Sequence, residues 1–352
     1  MKPDFLVNGR FLTQRTTGVQ RYAREILFEL ARLAGDDGKT VELLAPPGTP
    51  PAFAAIAQEN VGFGAGYAWE QLALPLLARV PLLNLCNLGP VALRRQIVCL
   101  HDANVFTMPE AYSKGFRAAY GVLLPLLARR AARVTSVSHF SAASLARFLP
   151  VEAKNIVVLP NGHEHVFRWK PENSSWRDKL ADRRPFILLI GSRAPHKNVG
   201  LIFRMAEALD GLGLDAIVAG GGDSIFGAEQ RAQARNVAFV GYVSDDDLAA
   251  LMEKALALAF PSRTEGFGLP IVEAMALSCP VVSSNSASMP EVCGEAALMA
   301  DCDDPGAWLA HFKALRDSPG LREDLIVAGR ERVKRFSWAR SAAGYLELLE
   351  GL

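Results

Sequence analysis

The sequence has few cysteines, little net charge and no long apolar run, and each shortage excludes a class of protein. Its five cysteines form no C-x-x-C pair, and no histidine is spaced with them for zinc, so we expect reduced, buried thiols. The formal net charge of +1 argues against a nucleic-acid binder. No apolar stretch reaches the roughly 20 residues of a spanning helix, and no signal-peptide pattern is present. We therefore expect a cytoplasmic protein.

In other respects the composition and length are those of a folded protein with two domains. Half of the 352 residues are hydrophobic (50%) and 21% are charged, which excludes a disordered or fibrous protein. The length suits two domains of about 150 to 180 residues each. Residues 1–170 hold 19 Lys and Arg against 12 Asp and Glu (+7), whereas residues 171–352 hold 19 against 25 (−6). Opposite charges predict different partners for the two halves.

Short apolar runs alternate with helical periodicity along the chain, which is typical of parallel α/β layers. Strands are predicted in the first half at 5–7, 41–45, 97–100, 133–137 and 156–159, and in the second half at 186–190, 216–219, 237–240, 256–260 and 280–282. We predict an α/β fold in which two Rossmann-like domains face each other across a cleft. The predicted boundaries are 1–165, a polar linker at 166–185, a second domain at 186–335 and a helix at 336–352.

The most informative segment is 261–282, PSRTEGFGLPIVEAMALSCPVV, which follows a buried predicted strand. Its loop carries Glu265 and two glycines, and Pro270 suits the first helical turn because a missing N–H costs nothing there. Glu273 lies within that helix. Two carboxylates beside a helix N-terminus suit a ligand with hydroxyls and phosphate, such as a sugar nucleotide. A stabilising acidic first turn explains the spacing about equally well.

Other polar residues leave two interpretations open. Arg193 and Lys197 follow a predicted strand and either hold one pyrophosphate or are solvated loop charges. Residues 220–222 are three glycines that form either a nucleotide-binding loop or a flexible strand exit. No metal site is predicted, because the Asp-Cys-Asp at 301–303 is expected to cap the next helix and the His-Glu-His at 163–165 to line the cleft.

Residues 261–282 resemble the E-x7-E element of retaining GT-B glycosyltransferases, specifically family 4, the glycosyl transferases group 1. Further elements of that family have counterparts here in the same order. These are the N-terminal glycine loop (18–22), the acceptor-site histidine (His101-Asp102), the segments before the hinge (138–141 and 160–162), the phosphate loop (191–198) and the start of the last helix (336–338). The resemblance covers nearly the whole chain and implies that the last helix packs back on the N-terminal domain.

The resemblance also implies a role for each matching residue. Glu273 would bind the ribose hydroxyls, Glu265 the donor-sugar hydroxyls, and His101 would lie near the reacting carbon. The implied catalytic residues are His101, Arg193, Lys197 and Glu265. The implied donor-binding residues are Gly18, Gly191, Arg193, Lys197, Glu265, Gly266, Phe267, Gly268, Leu269 and Glu273, and the acceptor-binding residues are Asp102 and Asn161.

The expected reaction is a metal-independent hexosyl transfer that retains the anomeric configuration, with a sugar nucleotide as co-substrate and no cofactor. Residues 283–299 most resemble members that use GDP-mannose, while rhamnose, glucose and N-acetylglucosamine donors remain open. The acceptor is expected to be a polysaccharide or a polyprenyl-linked oligosaccharide. A sugar-nucleotide epimerase and an inactive nucleotide-sugar-binding subunit are the alternatives.

Two apolar segments with basic ends, 67–80 and 115–133, lie in the basic half. They are either core helices or a lipid-facing patch with arginines near anionic headgroups. The second interpretation predicts contact between the N-terminal domain and the inner face of the cell membrane.

Overall fold

The structure, a computed structural model, describes residues 3–192, 194–221 and 234–352. Its contacts divide the chain into two units, Met1–Asn161 with Ser337–Leu352, and Gly162–Phe336. This division falls after residue 161, whereas the sequence places a boundary after 165. Segment 166–185 belongs to the second unit, because the Lys170 N–H donates to Asp246 at 2.7 Å and the Ser175 N–H to Asp247 at 2.8 Å.

The first unit contains a seven-stranded parallel sheet in the order β3-β2-β1-β4-β5-β6-β7. Its strands are β1 (Phe5–Asn8), β2 (Val41–Ala45), β3 (Ala57–Asn60), β4 (Leu82–Asn84), β5 (Gln96–Cys99), β6 (Arg133–Ser136) and β7 (Ile156–Val158). The strand order reverses between β1 and β4, whose carboxyl ends are the expected place for a ligand in such a sheet.

The helices around this sheet are α1 (Gly18–Asp36), α2 (Gly66–Ala68), α3 (Leu74–Leu77), α4 (Asn104–Thr107), α5 (Lys114–Arg130) and α6 (His139–Ala146), with a π-helical turn at Trp69–Ala73. The longer helices, α1 and α5, each bury one apolar face. Helix α1 begins after Thr17, whose N–H donates to Gln20 Oε1 at 3.1 Å, and it buries Ile26 and Leu30. Ser138 caps α6 by accepting from the Ser141 N–H.

Within the described residues, the second unit has a six-stranded parallel sheet in the order β10-β9-β8-β11-β12-β13. Its strands are β8 (Phe186–Ile190), β9 (Asp215–Ala219), β10 (Val237–Gly241), β11 (Ala257–Phe260), β12 (Val281–Ser284) and β13 (Leu298–Ala300). The order reverses between β8 and β11. The loops that follow these two strands carry the predicted phosphate loop and the two predicted carboxylates.

The helices of the second unit pack a core around Trp308 and Phe312, both fully buried. They are α7 (Arg177–Ala181), α8 (Gly200–Gly211), α9 (Asp245–Lys254), α10 (Leu269–Ala276), α11 (Met289–Cys293), α12 (Pro305–Asp317) and α13 (Pro319–Val333). The residue that caps α12 is Asp304, whose side chain accepts from the Ala307 N–H at 3.1 Å. The expectation that the Asp-Cys-Asp at 301–303 caps this helix was therefore wrong by one residue.

The last helix, α14 (Trp338–Glu350), packs against α1 in the first unit. The Tyr345 hydroxyl lies 3.0 Å from the Tyr22 hydroxyl and 2.8 Å from Thr135 Oγ1, and the Tyr22 ring contacts Trp338 edge-on. The predicted return of the C-terminal helix to the N-terminal domain is confirmed. Among the described helices, none has the length and apolarity needed to cross a membrane.

Candidate functional site

Two glycines let the loops after β8 and β9 approach each other closely in the second unit. A Cβ on Gly220 would lie 2.5 Å from the Gly191 carbonyl oxygen, and Gly220 has a φ of +95°. Only glycine at position 220 satisfies both conditions, so the two loops can pack backbone against backbone at the carboxyl edge of the sheet. Of the residues predicted here, Arg193 and Gly222 lie outside the described residues.

Lys197 and Glu265 form an ion pair at this edge. Lys197 ends a 3-10 turn (Pro195–Lys197) after β8, and its Nζ lies 2.7 Å from Glu265 Oε1 and 5.7 Å from the centre of the Phe260 ring. The side chains are 23% and 14% exposed, so a ligand can reach the pair. The structure brings together two residues 68 positions apart that the resemblance assigns to phosphate and sugar.

The loop after β11 is fixed by a serine that the sequence reasoning did not single out. Ser288 Oγ lies 3.0 Å from the carbonyl oxygens of both Glu265 and Phe267. The loop ends at Gly268, whose φ of +98° turns the chain into α10, and Leu269 begins the helix with Pro270 in its first turn. The backbone of residues 265–268 is thereby held at the N-terminus of α10.

Glu273 lies within α10, and its partner is a histidine more than 100 residues earlier. His165 Nε2 donates to Glu273 Oε1 at 2.9 Å, and the two side chains are 0% and 6% exposed. His163, from the same segment, donates through Nδ1 to the Phe336 carbonyl at 2.6 Å. The His-Glu-His segment therefore orients a predicted binding carboxylate. The His-Glu-His motif singled out His165 in the sequence, but spacing along the chain could not identify Glu273 as its partner.

The Asp-Cys-Asp segment has a different role from a metal ligand set. The ligand atoms of Asp301, Cys302 and Asp303 lie within 4.8 Å of one another. However, both guanidinium nitrogens of Arg263 contact Asp303, and the Arg263 side chain holds the pKa of that exposed carboxyl below its ordinary value. Asp301 accepts from the Asp303 N–H at 2.8 Å. These contacts fix the loop between β13 and α12.

In the first unit, His101 follows β5 and is held from several sides. Its Nε2–H donates to the Leu85 carbonyl at 2.8 Å, its N–H donates to Asn87 Oδ1 at 2.6 Å, and the Tyr22 ring meets it edge-on at 4.9 Å. Burial disfavours the imidazolium, but Cys99 and the Leu85 carbonyl outweigh burial and raise the pKa of His101. The ring therefore has a fixed orientation and a defined donor nitrogen.

The remaining predicted residues of the first unit lie on separate loops. Gly18 is the first residue of α1, and a Cβ there would meet open space. Asp102 follows His101, and its Oδ1 accepts from the Asn104 N–H at 2.8 Å. Asn161 is buried, and its Oδ1 has no hydrogen-bond partner in the part of the chain that the structure describes.

A polar cluster fills the point where the first sheet reverses its strand order. Asn8 Nδ2 and Arg10 Nε donate to Glu70 Oε1 at 2.7 and 2.8 Å, and Asn8 Nδ2 also lies 2.9 Å from Asn84 Oδ1. All four residues are buried, and Glu70 is 0% exposed. We call these residues the Arg10 cluster. Spacing along the chain could not predict this cluster, because its members are spread over four segments.

Comparisons with known proteins show the family of the chain. The model of the family described as glycosyl transferases group 1 matches residues 172–332. The chain is similar to O-antigen chain mannosyltransferase B of Escherichia coli, with 31% identity over 260 residues, 71% of this chain and 68% of that one. It is also similar to O-antigen chain mannosyltransferase RfbU of Salmonella typhimurium, with 28% identity over 231 residues, 64% of this chain and 62% of that one.

Among solved structures, the chain resembles Alr3699/HepE of Anabaena, whose structure is a complex with UDP and glucose. The TM-score is 0.73, the identity is 19%, and the match covers 100% of both chains. At this identity the likeness concerns the fold. It agrees with the two parallel sheets and supports the predicted α/β, GT-B fold.

Proposed function

The chain belongs to the glycosyl transferases group 1 family, and we propose that it is a retaining mannosyltransferase that uses GDP-mannose and needs no metal. The observation that carries the proposal is the loop and helix after β11. There Glu265, paired with Lys197, and Glu273, paired with His165, stand within the segment that the family model matches. The choice of mannose is supported by the two bacterial O-antigen mannosyltransferases to which the chain is similar.

The donor would bind to the second unit. Lys197 supplies a positive charge for the diphosphate, with Arg193 as its proposed partner, and the N-terminus of α10 adds partial positive charge beside the backbone of 265–268. In this proposal these groups stabilise the leaving diphosphate without a divalent cation. Glu265 takes hydroxyls of the sugar, and Glu273 takes those of the ribose. The backbone of Gly191, at the end of β8, is the proposed contact of the loop after this strand with the diphosphate.

Transfer would proceed by attack on the face from which the diphosphate leaves. The bond from the anomeric carbon to the phosphate oxygen breaks, and the bond to the acceptor oxygen forms on the same face. The acceptor proton passes to the leaving phosphate, so no protein base is required. His101 contacts the sugar near the reacting carbon, Gly18 gives the diphosphate room, and Asp102 and Asn161 position an acceptor that is a polysaccharide or a lipid-linked oligosaccharide.

The test is a thermal-shift panel of the whole protein with GDP, UDP, dTDP, ADP and CDP. A ligand at 100 times its dissociation constant stabilises the folded state by about 2.7 kcal/mol, which moves the melting temperature measurably. A shift with GDP alone is expected. Glu273→Gln, which should bind GDP about tenfold more weakly, reduces the stabilisation to about half, while the exposed control Glu207→Gln retains it. A shift with UDP or dTDP instead would overturn GDP-mannose. The absence of any shift would count against the donor site and favour an inactive subunit.

Product analysis tests the reaction itself. With GDP-mannose and a glycoside acceptor, NMR of the product is expected to show the α-anomer, the configuration of the donor. The rate is expected to survive EDTA. A β-linked product would overturn the retaining mechanism, and loss of activity with EDTA that Mg²⁺ restores would overturn metal independence. Conversion of the sugar nucleotide to an epimer without acceptor would point to the epimerase.

We propose further that the first unit contacts an anionic membrane surface. Helices in both apolar segments bury one face, since Leu74, Leu124 and Leu127 are buried, but Leu76 and Val122 are 62% and 60% exposed. Arg129 and Arg130 are exposed at the end of α5. Apolar side chains beside arginines suit anionic headgroups. Co-sedimentation with anionic but not zwitterionic vesicles is expected, and Leu76→Gln with Val122→Gln should abolish it; equal binding by the variant would overturn this assignment.

A further inference from the structure

Asn198, the residue after Lys197, adopts a main-chain conformation that is more usual for glycine. Its φ of 50° and ψ of 36° lie in the left-handed region, which asparagine adopts more readily than most residues but less readily than glycine. The residue is 7% exposed, so its amide is buried within the second unit. Asn198 has no assigned contact with the donor. A buried amide in this conformation is therefore explained by what its side chain holds.

The amide of Asn198 joins the loop after β8 to two other loops at the same edge of the sheet. Asn198 Nδ2 donates to the Pro261 carbonyl at 3.3 Å and to the Cys302 carbonyl at 2.7 Å. Pro261 directly follows β11, and Cys302 lies two residues after β13. An amide NH₂ group has two protons to donate, and each is used by one of these carbonyls. One side chain thereby connects the loops after β8, β11 and β13.

The loop after β13 provides a fixed point for these bonds. The Trp308 Nε1–H donates to the Asp301 carbonyl at 2.8 Å, and Trp308 is fully buried in the core of the second unit. The Asp303 N–H donates to Asp301 Oδ1 at 2.8 Å, and Arg263 holds the Asp303 carboxylate through both terminal guanidinium nitrogens. The Asp-Cys-Asp segment is therefore an anchor, and the carbonyl between its two aspartates is the one that Asn198 contacts at 2.7 Å.

A main-chain hydrogen bond also joins the loops after β8 and β11. The Arg263 N–H donates to the His196 carbonyl at 2.7 Å. His196 immediately precedes Lys197, and Arg263 lies two residues before Glu265. The ion pair of Lys197 and Glu265, with 2.7 Å between Nζ and Oε1, is therefore carried by two loops that are bonded to each other beside it.

We propose that Asn198 is a positioning residue of the donor site, which holds the loop of Lys197 in place against the loop of Glu265. A lysine side chain loses conformational freedom when it binds phosphate, and a loop that is fixed beforehand adds no ordering cost of its own. Asn198 acts on the diphosphate through Lys197 and not by contact. The inference rests on the proposed function and adds to it a residue that does not touch the ligand.

The experiment is a double-mutant cycle on the whole protein, with GDP binding measured by titration calorimetry. Asn198→Gly keeps the left-handed main chain without strain and removes both hydrogen bonds. Lys197→Met removes the charge through which Asn198 acts and keeps an unbranched side chain. The control is Asn236→Gly, because Asn236 Nδ2 also donates to two main-chain carbonyls, those of Ala206 at 2.9 Å and Leu214 at 3.2 Å. Asn236 directly precedes β10, so it lies at the opposite edge of the parallel sheet.

Lys197→Met is expected to weaken GDP binding about tenfold and Asn198→Gly about fivefold, whereas the control should bind GDP like the parent protein. The double variant should bind no more weakly than Lys197→Met alone, because Asn198 then has no charge to position. Additive losses in the cycle would overturn the proposal. An equal loss of affinity in Asn236→Gly would overturn it as well, since the loss would then come from the unit as a whole.

A second variant, Asn198→Asp, serves where Asn198→Gly fails to fold. It keeps the size of the side chain and tolerates the left-handed region, but its carboxylate cannot donate to either carbonyl. Parent affinity in either folded variant would overturn the positioning role. UDP, dTDP, ADP and CDP are titrated against the parent protein too. If one of them binds in place of GDP, GDP-mannose is overturned and the cycle is run with that nucleotide; if none binds, the proposed donor site is overturned together with the role of Asn198.

Discussion

Both sheets reverse their strand order, but different groups lie at the two reversal points. In the first unit, the carboxyl ends of β1 and β4 meet the buried Arg10 cluster, in which Asn8 and Arg10 both donate to Glu70 Oε1. In the second unit, the ends of β8 and β11 meet glycine-rich backbone and the partly exposed pair of Lys197 and Glu265. Both points are expected ligand positions by topology.

The difference shows that strand order determines where a ligand could bind, whereas the side chains at that point determine whether a ligand can reach it. In the first unit, Glu70 accepts from both Asn8 and Arg10, so the position is closed by internal hydrogen bonds. A small open pocket of that unit, with Asn87, Asp102 and Tyr112 among its lining residues, lies beside β5 instead. In the second unit, Glu265 pairs with Lys197 and stays partly exposed, whereas Glu273 pairs with His165 and is buried. Binding to the second unit is therefore expected to be electrostatic, and binding to the first to depend on shape.

The largest effect is expected on stability, from breaking the buried ion pair of Arg10 and Glu70. Glu70→Gln removes the charge that faces the buried Arg10, and breaking a buried ion pair in this way costs about 3 to 5 kcal/mol. Chemical denaturation followed by circular dichroism measures it. The control is Glu59→Gln, an exposed residue of the same unit. A loss no larger than that of the control would mean that the cluster does not support the fold.

The next largest effect is expected on transfer rather than folding. His101→Ala should lower the turnover of GDP-mannose by about 100-fold, because a preoriented group beside the reacting carbon is lost. Nucleotide affinity should stay the same, because the donor would bind the second unit. Calorimetry with GDP and a coupled assay of GDP release separate the two quantities, with the exposed His139→Ala as control. Turnover at the parent rate would remove His101 from the catalytic residues.

A smaller effect is expected at the pair on α10. Glu273→Gln should weaken GDP binding about tenfold, because a neutral amide accepts weaker hydrogen bonds from ribose than a carboxylate does. His165→Asn should weaken it by less, since the carboxylate remains but is less well oriented. Titration calorimetry at constant pH ranks the two. Equal losses in both variants would mean that His165 contacts the nucleotide directly.

The smallest effect is expected on stability, from removing the N-terminal cap of α14, the helix by which the chain returns to the first unit. Ser337 caps α14 by accepting from the Arg340 N–H, and Ser337→Ala should cost about 1 kcal/mol of stability. Ser144→Ala in α6 serves as the control. If the two units unfold in separate steps, only the step of the first unit should shift. A shift confined to the other step would contradict the assignment of α14 to the first unit.

The sequence predicted most of the fold because buried parallel strands are short apolar runs. The exceptions have physical reasons. Strand β3 (Ala57–Asn60) is a polar edge strand that carries no apolar pattern, and β4 and β13 are three residues long. Glu265 and Glu273 could be predicted as a pair because one loop and the helix that directly follows it carry both residues. The polar linker at 166–185 was not distinguishable from a segment anchored to α9, since the anchoring aspartates lie about 70 residues later.

Contacts between distant segments of the chain could not be predicted from the sequence. His165 and Glu273 are 108 residues apart, and the four residues of the Arg10 cluster come from different elements. The sequence predicted that 115–133 is either a core helix or a lipid-facing one. It could not show that the ring of Phe116 stacks between those of Tyr112 and Tyr120, because the position of Tyr112 depends on the turn before α5.

The course of the chain has a consequence for how the protein is made. The first unit consists of Met1–Asn161 and Ser337–Leu352, so its last helix is synthesised only after all of Gly162–Phe336. At about 5 to 20 residues per second, this delay is roughly 10 to 35 seconds. During that time Tyr22 and α1 lack their contacts with Trp338 and Tyr345, which do not yet exist. The second unit therefore has the opportunity to finish folding before the first.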